Sequence, residues 1–365
     1  MEYRFLGNTG IKVSAIGLGN YLNGETPDKR EKIIQIVKKA YSLGINFFDT
    51  AESYGYGEGE LQYGEAFKEL GIPREELVVS SKIFWAVTPF TSQIQKVNQI
   101  GLSRKHIIEG VKVSLKRLQL DYLDIVYCHR FDEDTPLEET IKAFNDLIQQ
   151  GLIHYWGTSE WSCGQIFEAR EICAKLNLTP PVCEQPQYNM MVRERFEVEY
   201  GRLFDKYRMG STVWSPLCAG ILTGKYNDGK FPLGSRLNEY KDSILLKRIF
   251  DTYFAEDKKE NLLKLLNALG EVANKIGCTQ TQLAMAWVLA NRDVSTAITS
   301  ATKPEQLDEI VKSLEVVKKL TPEINKEIDQ ILRNKPQVGI DYKTYMPNKS
   351  VRRDQNIVKN QYFDQ

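Results

Sequence analysis

The chain has 365 residues, 42% hydrophobic and 26% charged, and its 48 Lys and Arg are balanced by 48 Asp and Glu. These fractions exclude a disordered, collagenous or fibrous chain, and a net charge of zero gives no bulk attraction to nucleic acid or anionic lipid. No apolar run approaches the roughly 20 residues that cross a bilayer, and neither the N-terminus nor the six scattered cysteines and three histidines suggest secretion, disulfides or a metal site, so a cytoplasmic, metal-free chain with no membrane insertion is expected.

Short apolar runs alternate with helix-periodic segments along the chain. Gly7-Asn8-Thr9-Gly10 lies between two extended runs and predicts a hairpin ahead of the main repeat. Residues 13–19 then read as the first buried strand, and residues 29–43 as a helix with Ile33, Ile34, Val37 and Tyr41 on one face. Strands follow over residues 45–50 and 77–82. Next comes a helix over 103–119 opened by a Ser103 cap, then a strand over 122–129. Thr135-Pro136 predicts a cap with Pro at the first helical position and acids behind it. Strands at 153–157, 181–185 and 211–214 come next, then a helix over 279–291, a strand over 294–298 and a helix opening at Lys303-Pro304-Glu305.

Eight short strands alternating with helices force parallel pairing, because each helical crossover returns the chain to the same end of the sheet. Eight such units closing on themselves give a (β/α)₈ TIM barrel. A doubly wound sheet is the competing architecture, but residues 17–24 hold no Gly-x-Gly-x-x-Gly opening a helix. Two segments stand outside the repeat: residues 228–259, long enough for a lid or clamp, and the polar, aperiodic stretch from Lys335. The expected division is a barrel over 1–334 and a C-terminal tail over 335–365 that serves as a docking arm.

Chemistry in such a barrel gathers at the C-terminal strand ends. Those ends carry Asp49, Lys82 and His129, with Tyr54 in the glycine-flanked run Ser53-Tyr54-Gly55-Tyr56-Gly57. Taken singly, each has a structural reading: a turn cap, a solvated charge, a packed ring, a polar rim residue. An acid, a base, an imidazole and a phenol meeting on one rim point instead to catalysis. His106 and His154, at a helix start and a strand start, read as structural.

Long motifs then carry a resemblance. Phe48-Asp49-Thr50-Ala51-Glu52-Ser53-Tyr54, Gly101-Leu102-Ser103-Arg104-Lys105-His106, Tyr155-Trp156-Gly157-Thr158-Ser159-Glu160-Trp161, Glu184-Gln185-Pro186-Gln187-Tyr188-Asn189 and Trp214-Ser215-Pro216-Leu217 resemble the aldo-keto reductase superfamily. The chain is most similar to its branch of voltage-gated potassium channel β subunits. The resemblance spans residues 3–335 and implies an NADPH/NADP+ cofactor and a small carbonyl substrate. Tyr54 would be the general acid, Lys82 the cation beside it, Asp49 the partner of Lys82, and His129 the group that orients the carbonyl. His129 stands where animal channel subunits carry an amide and reductase-competent or plant-like members carry His, so the full reductase set is present.

The resemblance also implies the cofactor contacts. Asn20 and Tyr21 would follow the first strand; Ser159 and Gln185 would hold the nicotinamide amide with Glu160 beside them, Tyr188 would lie near the ring, and Asp49 would also contact the cofactor. Trp214, Ser215, Pro216, Leu217, Cys218 and Ala219 would wrap the pyrophosphate, and Lys225 and Arg236 would add positive charge. Ser300, Thr302, Lys303, Gln306 and Glu309 would hold the adenosine end, with Lys303 on the 2′-phosphate and the helix behind it aimed there. The loop over 86–100 is longer than in relatives and would overhang the substrate. A channel or other protein assembly as partner and a homo-tetramer are implied too. The competing role is a non-catalytic, NADP-binding scaffold component.

Overall fold

The computed structural model describes residues 1–21, 30–85, 87, 97–239 and 244–337. Its strands in chain order are β1 (Tyr3–Phe5), β2 (Lys12–Ser14), β3 (Ile16–Gly19), β4 (Phe47–Asp49), β5 (Val78–Ile83), β6 (Leu123–Cys128), β7 (Ile153–Thr158), β8 (Cys183–Glu184), β9 (Gly210–Trp214) and β10 (Thr296–Thr299). The first two pair antiparallel as the expected hairpin, Tyr3 opposite Ser14 and Phe5 opposite Lys12. The other eight close into a parallel barrel in the order β10-β3-β4-β5-β6-β7-β8-β9. The run over residues 13–19 therefore serves two elements. Val13 and Ser14 end the hairpin, and the chain turns at Ala15, whose N–H donates to the Glu2 carbonyl, before the barrel starts at Ile16.

The helices are α1 (Arg30–Ser42), α2 (Glu58–Leu70), α3 (Arg104–Leu118), α4 (Leu137–Gln149), α5 (Cys163–Leu176), α6 (Gly201–Tyr207), α7 (Arg236–Glu239), α8 (Ile244–Ile249), α9 (Glu256–Lys275), α10 (Gln280–Ala290), α11 (Glu305–Val311), α12 (Ser313–Val316) and α13 (Pro322–Leu332). Ser103 caps α3 by accepting from the His106 N–H, and Thr279 forms a capping box with Gln282 on α10. Thr135 does not cap α4. Its hydroxyl donates to Asp132 instead, and Pro136 occupies the cap position. Residues 228–259 hold the short helices α7 and α8 and the start of α9 rather than one irregular loop.

Strands buried on both faces explain the continuous apolar runs. Phe47, Val78 and Ile125 fill the barrel interior with Leu6 and Val13 of the hairpin, while their neighbours Phe48, Val79 and Val126 join the layer under the helices. Side chains alternate in direction along a strand, so one run supplies both cores. Leu6 and Val13 thereby close the N-terminal end of the barrel with apolar atoms and leave the polar strand ends to the opposite rim. Among the described residues, no helix is long and apolar enough to cross a membrane.

Candidate active site

Parallel pairing brings the polar strand ends into register. Asp49 lies opposite Ser80 and Gly19, and Lys82 lies opposite Tyr127. His129 follows β6 directly, its N–H bonded to the Ile83 carbonyl. Tyr54 reaches the same rim from a tight turn in which Gly55, Tyr56 and Gly57 all have positive φ (55°, 56° and 99°). Two of these three left-handed positions are glycines, which accept that conformation at little steric cost.

The Lys82 ammonium donates to Asp49 Oδ2 at 2.5 Å, to the Thr50 carbonyl at 2.7 Å and to the Tyr54 hydroxyl at 3.1 Å. Its side chain is 1% exposed and that of Asp49 4%. Asp49 is held from its other oxygen by Ser80 Oγ at 2.7 Å and Gln185 Nε2 at 3.1 Å. Burial works against the Lys82 charge, but Asp49 and then Tyr54 outweigh it and hold the pKa above the usual lysine value. Burial also raises the Tyr54 phenol; Lys82 draws it back only in part, and Asp49 adds to the rise. The His129 imidazole is pushed well below the ordinary histidine range by burial, then by the charges of Lys82 and Arg130. Its ring lies edge-on to Tyr54 with centroids 6.0 Å apart, and its Nδ1 has no partner among the described residues. A protonated phenol thus sits between a fixed cation and a neutral imidazole. This set can present a proton, and a second hydrogen-bonding group, to an oxygen that gains negative charge.

The other anticipated residues fall into three groups. Asn20, Ser159 and Gln185 line the same rim. Asn20 donates to the Gly59 carbonyl, its buried Oδ1 has no partner among the described residues, and Ser159 Oγ bonds the Gln185 carbonyl. Tyr21 packs edge-on to Tyr54 at 5.0 Å, and the Arg236 guanidinium lies 5.9 Å from the Tyr21 ring centroid.

The second group is the loop after β9. Ser215, Cys218 and Ala219 have φ of 55°, 48° and 54°, followed by Gly220 and Gly224 at 91° and 85°. Three non-glycine residues in the left-handed region within five positions mark an imposed backbone shape. Such turns can gather N–H groups into an anion-binding concavity. Pro216 and Leu217 complete the loop, and Tyr253 beyond α8 lies in hydrogen-bond contact with the buried Cys218 thiol. Lys225 is exposed beside Gly220.

The third group is the set expected on the adenosine side. The helix there begins at Glu305, and the N–H groups of Thr302 and Lys303 donate to Gln306 Oε1 at 2.8 and 3.2 Å. Glu309 accepts from Thr279, the cap of α10. Ser300, Thr302 and Lys303 are exposed.

Glu160 and Tyr188 are both engaged within the protein. The Glu160 carboxylate accepts from Trp214 Nε1, the Gln187 N–H and Arg195, so it ties three strand ends together and has no oxygen left unengaged. Tyr188 packs on Phe196 and Trp287, with its hydroxyl bonded to Glu197 and Asn291 in the outer layer. Sequence reasoning missed Ser80, although its spacing of two from Lys82 on one strand places both on the same face. Of the loop over 86–100, residues 86 and 88–96 lie outside the described residues, as do residues 338–365 of the tail.

The C-terminal rim of this closed parallel barrel joins a buried Lys–Asp pair to a tyrosine and sets a histidine beside them. The chain belongs to the Aldo/keto reductase family, whose sequence profile matches residues 15–333. It is 47% identical to a putative voltage-gated potassium channel subunit beta of Schizosaccharomyces pombe over 337 residues, 92% of this chain and 94% of that protein. It is 42% and 41% identical to probable voltage-gated potassium channel subunits beta of Oryza sativa subsp. japonica and Arabidopsis thaliana, over 94% of this chain and all of each relative.

Proposed function

We propose that this protein is an NADPH-dependent reductase of aldehydes and ketones. The observation that carries the reading is the Asp49–Lys82–Tyr54 relay at 2.5 and 3.1 Å with a neutral His129 beside it. When bound, a nicotinamide cofactor supplies the hydride. Asn20, Ser159, Gln185 and the loop over 214–219 would hold it, which fits the orphaned Asn20 oxygen and the left-handed turns of that loop. Tyr54 hydrogen-bonds the carbonyl oxygen of the substrate and releases its proton as charge builds there. Lys82 stabilises the phenolate left behind, and Asp49 keeps Lys82 charged in a buried site. His129, uncharged, orients the oxygen by a hydrogen bond. NADPH oxidation with a panel of aldehydes and ketones tests the reading. A cofactor-loaded protein inert across the panel would move it behind the alternative of a non-catalytic, NADP-binding scaffold.

The proposal extends to setting. Three relatives matched over at least 94% of their length are named voltage-gated potassium channel β subunits, which supports a role beside such a channel; the setting proposed for it is cytoplasmic and the assembly a homo-tetramer. Residues 335–365 would act as the docking arm of the 1–334 barrel. Removing the chain after Asn334 should preserve cofactor binding and lower recovery with a co-expressed channel, while light scattering of both forms reads the oligomeric state.

A further inference from the structure

Glu52 and His106 are two buried, ionisable side chains that the reaction does not use, only 2% and 4% exposed. Glu52 lies three residues after Asp49 and two before Tyr54. Its N–H donates to the Lys82 carbonyl at 3.2 Å, and its Oε1 accepts from the Phe84 N–H at 2.8 Å. The turn that carries Tyr54 is thus laced to the end of the strand that carries Lys82. The other carboxylate oxygen faces His106 Nε2 at 3.2 Å, and His106 Nδ1 faces the Gly101 carbonyl at 2.8 Å. Gly101 returns to the same strand end, its N–H donating to the Phe84 carbonyl at 2.8 Å. Gly110 of α3 leaves room for the pair, since a Cβ there would stand 3.2 Å from Glu52 Oε2 and 3.6 Å from the His106 ring.

The imidazole therefore lies between two acceptors, a carboxylate and a carbonyl. A neutral ring has one N–H and satisfies one of them; an imidazolium satisfies both. We propose that Glu52 and His106 are positioning residues, an ion-paired clasp that sets Tyr54 against Lys82 and is undone when the imidazole loses its second proton. Burial opposes the His106 charge, but the Glu52 hydrogen bond and charge and the Gly101 carbonyl outweigh it and hold the pKa above the ordinary histidine value. Charged groups around the pair include Glu109 on the same helix and Arg117, which bonds the Glu52 carbonyl and pairs with Glu60. Asp132 adds a further acid, against Gly101. Glu109 and Asp132 favour the imidazolium, and Arg117, engaged by Glu60, opposes it.

This inference rests on the reductase reading, and its test separates the two. With the full chain and saturating NADPH, reduction of 4-nitrobenzaldehyde is followed across the histidine-to-lysine titration range. Parent kcat should fall as pH rises through the His106 pKa. Glu52→Gln and His106→Gln should lose that limb and lower kcat roughly ten- to hundredfold with KM changed by no more than about twofold, as for a misplaced catalytic group. A second measurement needs no turnover. With carbon-13-labelled histidine, only three residues carry the label, and His106 should titrate above the ordinary value in the parent and lower in Glu52→Gln. The Tyr54 ring signals, assigned by Tyr54→Phe, should move with the same midpoint. Tyr54 signals blind to that titration, or His106→Gln with the parent kcat and profile, would overturn the clasp. A parent inert on all carbonyls would overturn the reductase reading instead, and the tyrosine signals would then decide the clasp by themselves.

Discussion

The two ends of the proposed cofactor path are built in opposite ways. At the strand ends, Asp49, Lys82, Ser80 and Gln185 are buried and already bonded to one another. At the adenosine side, Thr302 and Lys303 are exposed, and their backbone N–H groups are taken by Gln306 from the same short segment. Buried electrostatics are strong and fixed, whereas exposed charges are screened. The first end should therefore govern rate and stability, and the second should tune affinity by small steps.

The sharpest way to break that contrast is Tyr54→Phe. Loss of the phenol proton should lower turnover by about 10²–10⁴-fold, the range of general acid catalysis, with NADPH affinity nearly unchanged. A comparable loss of binding in fluorescence titration would show that the tyrosine holds cofactor rather than acting on substrate.

Asp49→Asn comes next. It leaves a buried Lys82 charge without its carboxylate, and unfolding in urea should register a loss of about 3–5 kcal/mol. Stability equal to the parent would mean that the surrounding carbonyl and hydroxyl groups alone carry the cation.

Glu184 sharpens the picture within the buried half. Burial raises its carboxyl to about 8, with Thr158 and Tyr200 as hydrogen-bonding partners and Glu160 adding to the rise. The Tyr200 hydroxyl has one hydrogen and stands 2.5 Å from the Trp161 carbonyl, which leaves its oxygen free to accept from a protonated Glu184. Folding then holds a proton that the unfolded chain releases near the ordinary value of 4.5. The stabilisation is complete below that value and declines as pH rises through about 8. Glu184→Gln should raise Tm at the alkaline end by several degrees and flatten the dependence between those limits. An unchanged Tm-against-pH curve would place the proton elsewhere.

The smallest effect belongs to Lys303→Ala. An exposed ion pair to phosphate contributes little, so NADPH affinity should fall about two- to fivefold, with NADH affinity unchanged. A loss a hundred times larger would show that this end closes and desolvates on binding.

Much of the fold was legible because local patterning encodes local elements. The Ser103 cap, the Gly7–Gly10 hairpin and the eight apolar runs each declare an element within a few residues. The strand-end types Asp49, Lys82 and His129 followed once eight strands were counted. Thr135 misled because its hydroxyl had a better partner in Asp132, which no spacing rule contains.

What the sequence could not settle is what depends on closure of the barrel. Gln185 meets Asp49 across 136 positions of chain, and Glu160 is engaged by Trp214 and Arg195. The states of Lys82, His129, Glu184 and the Glu52–His106 pair were likewise invisible. Residue type and period fix which element forms and which face it buries, because those are set by neighbours a few residues away. Charge state and pairing are set by desolvation and by groups brought together from distant strands, and these exist only once the barrel has closed.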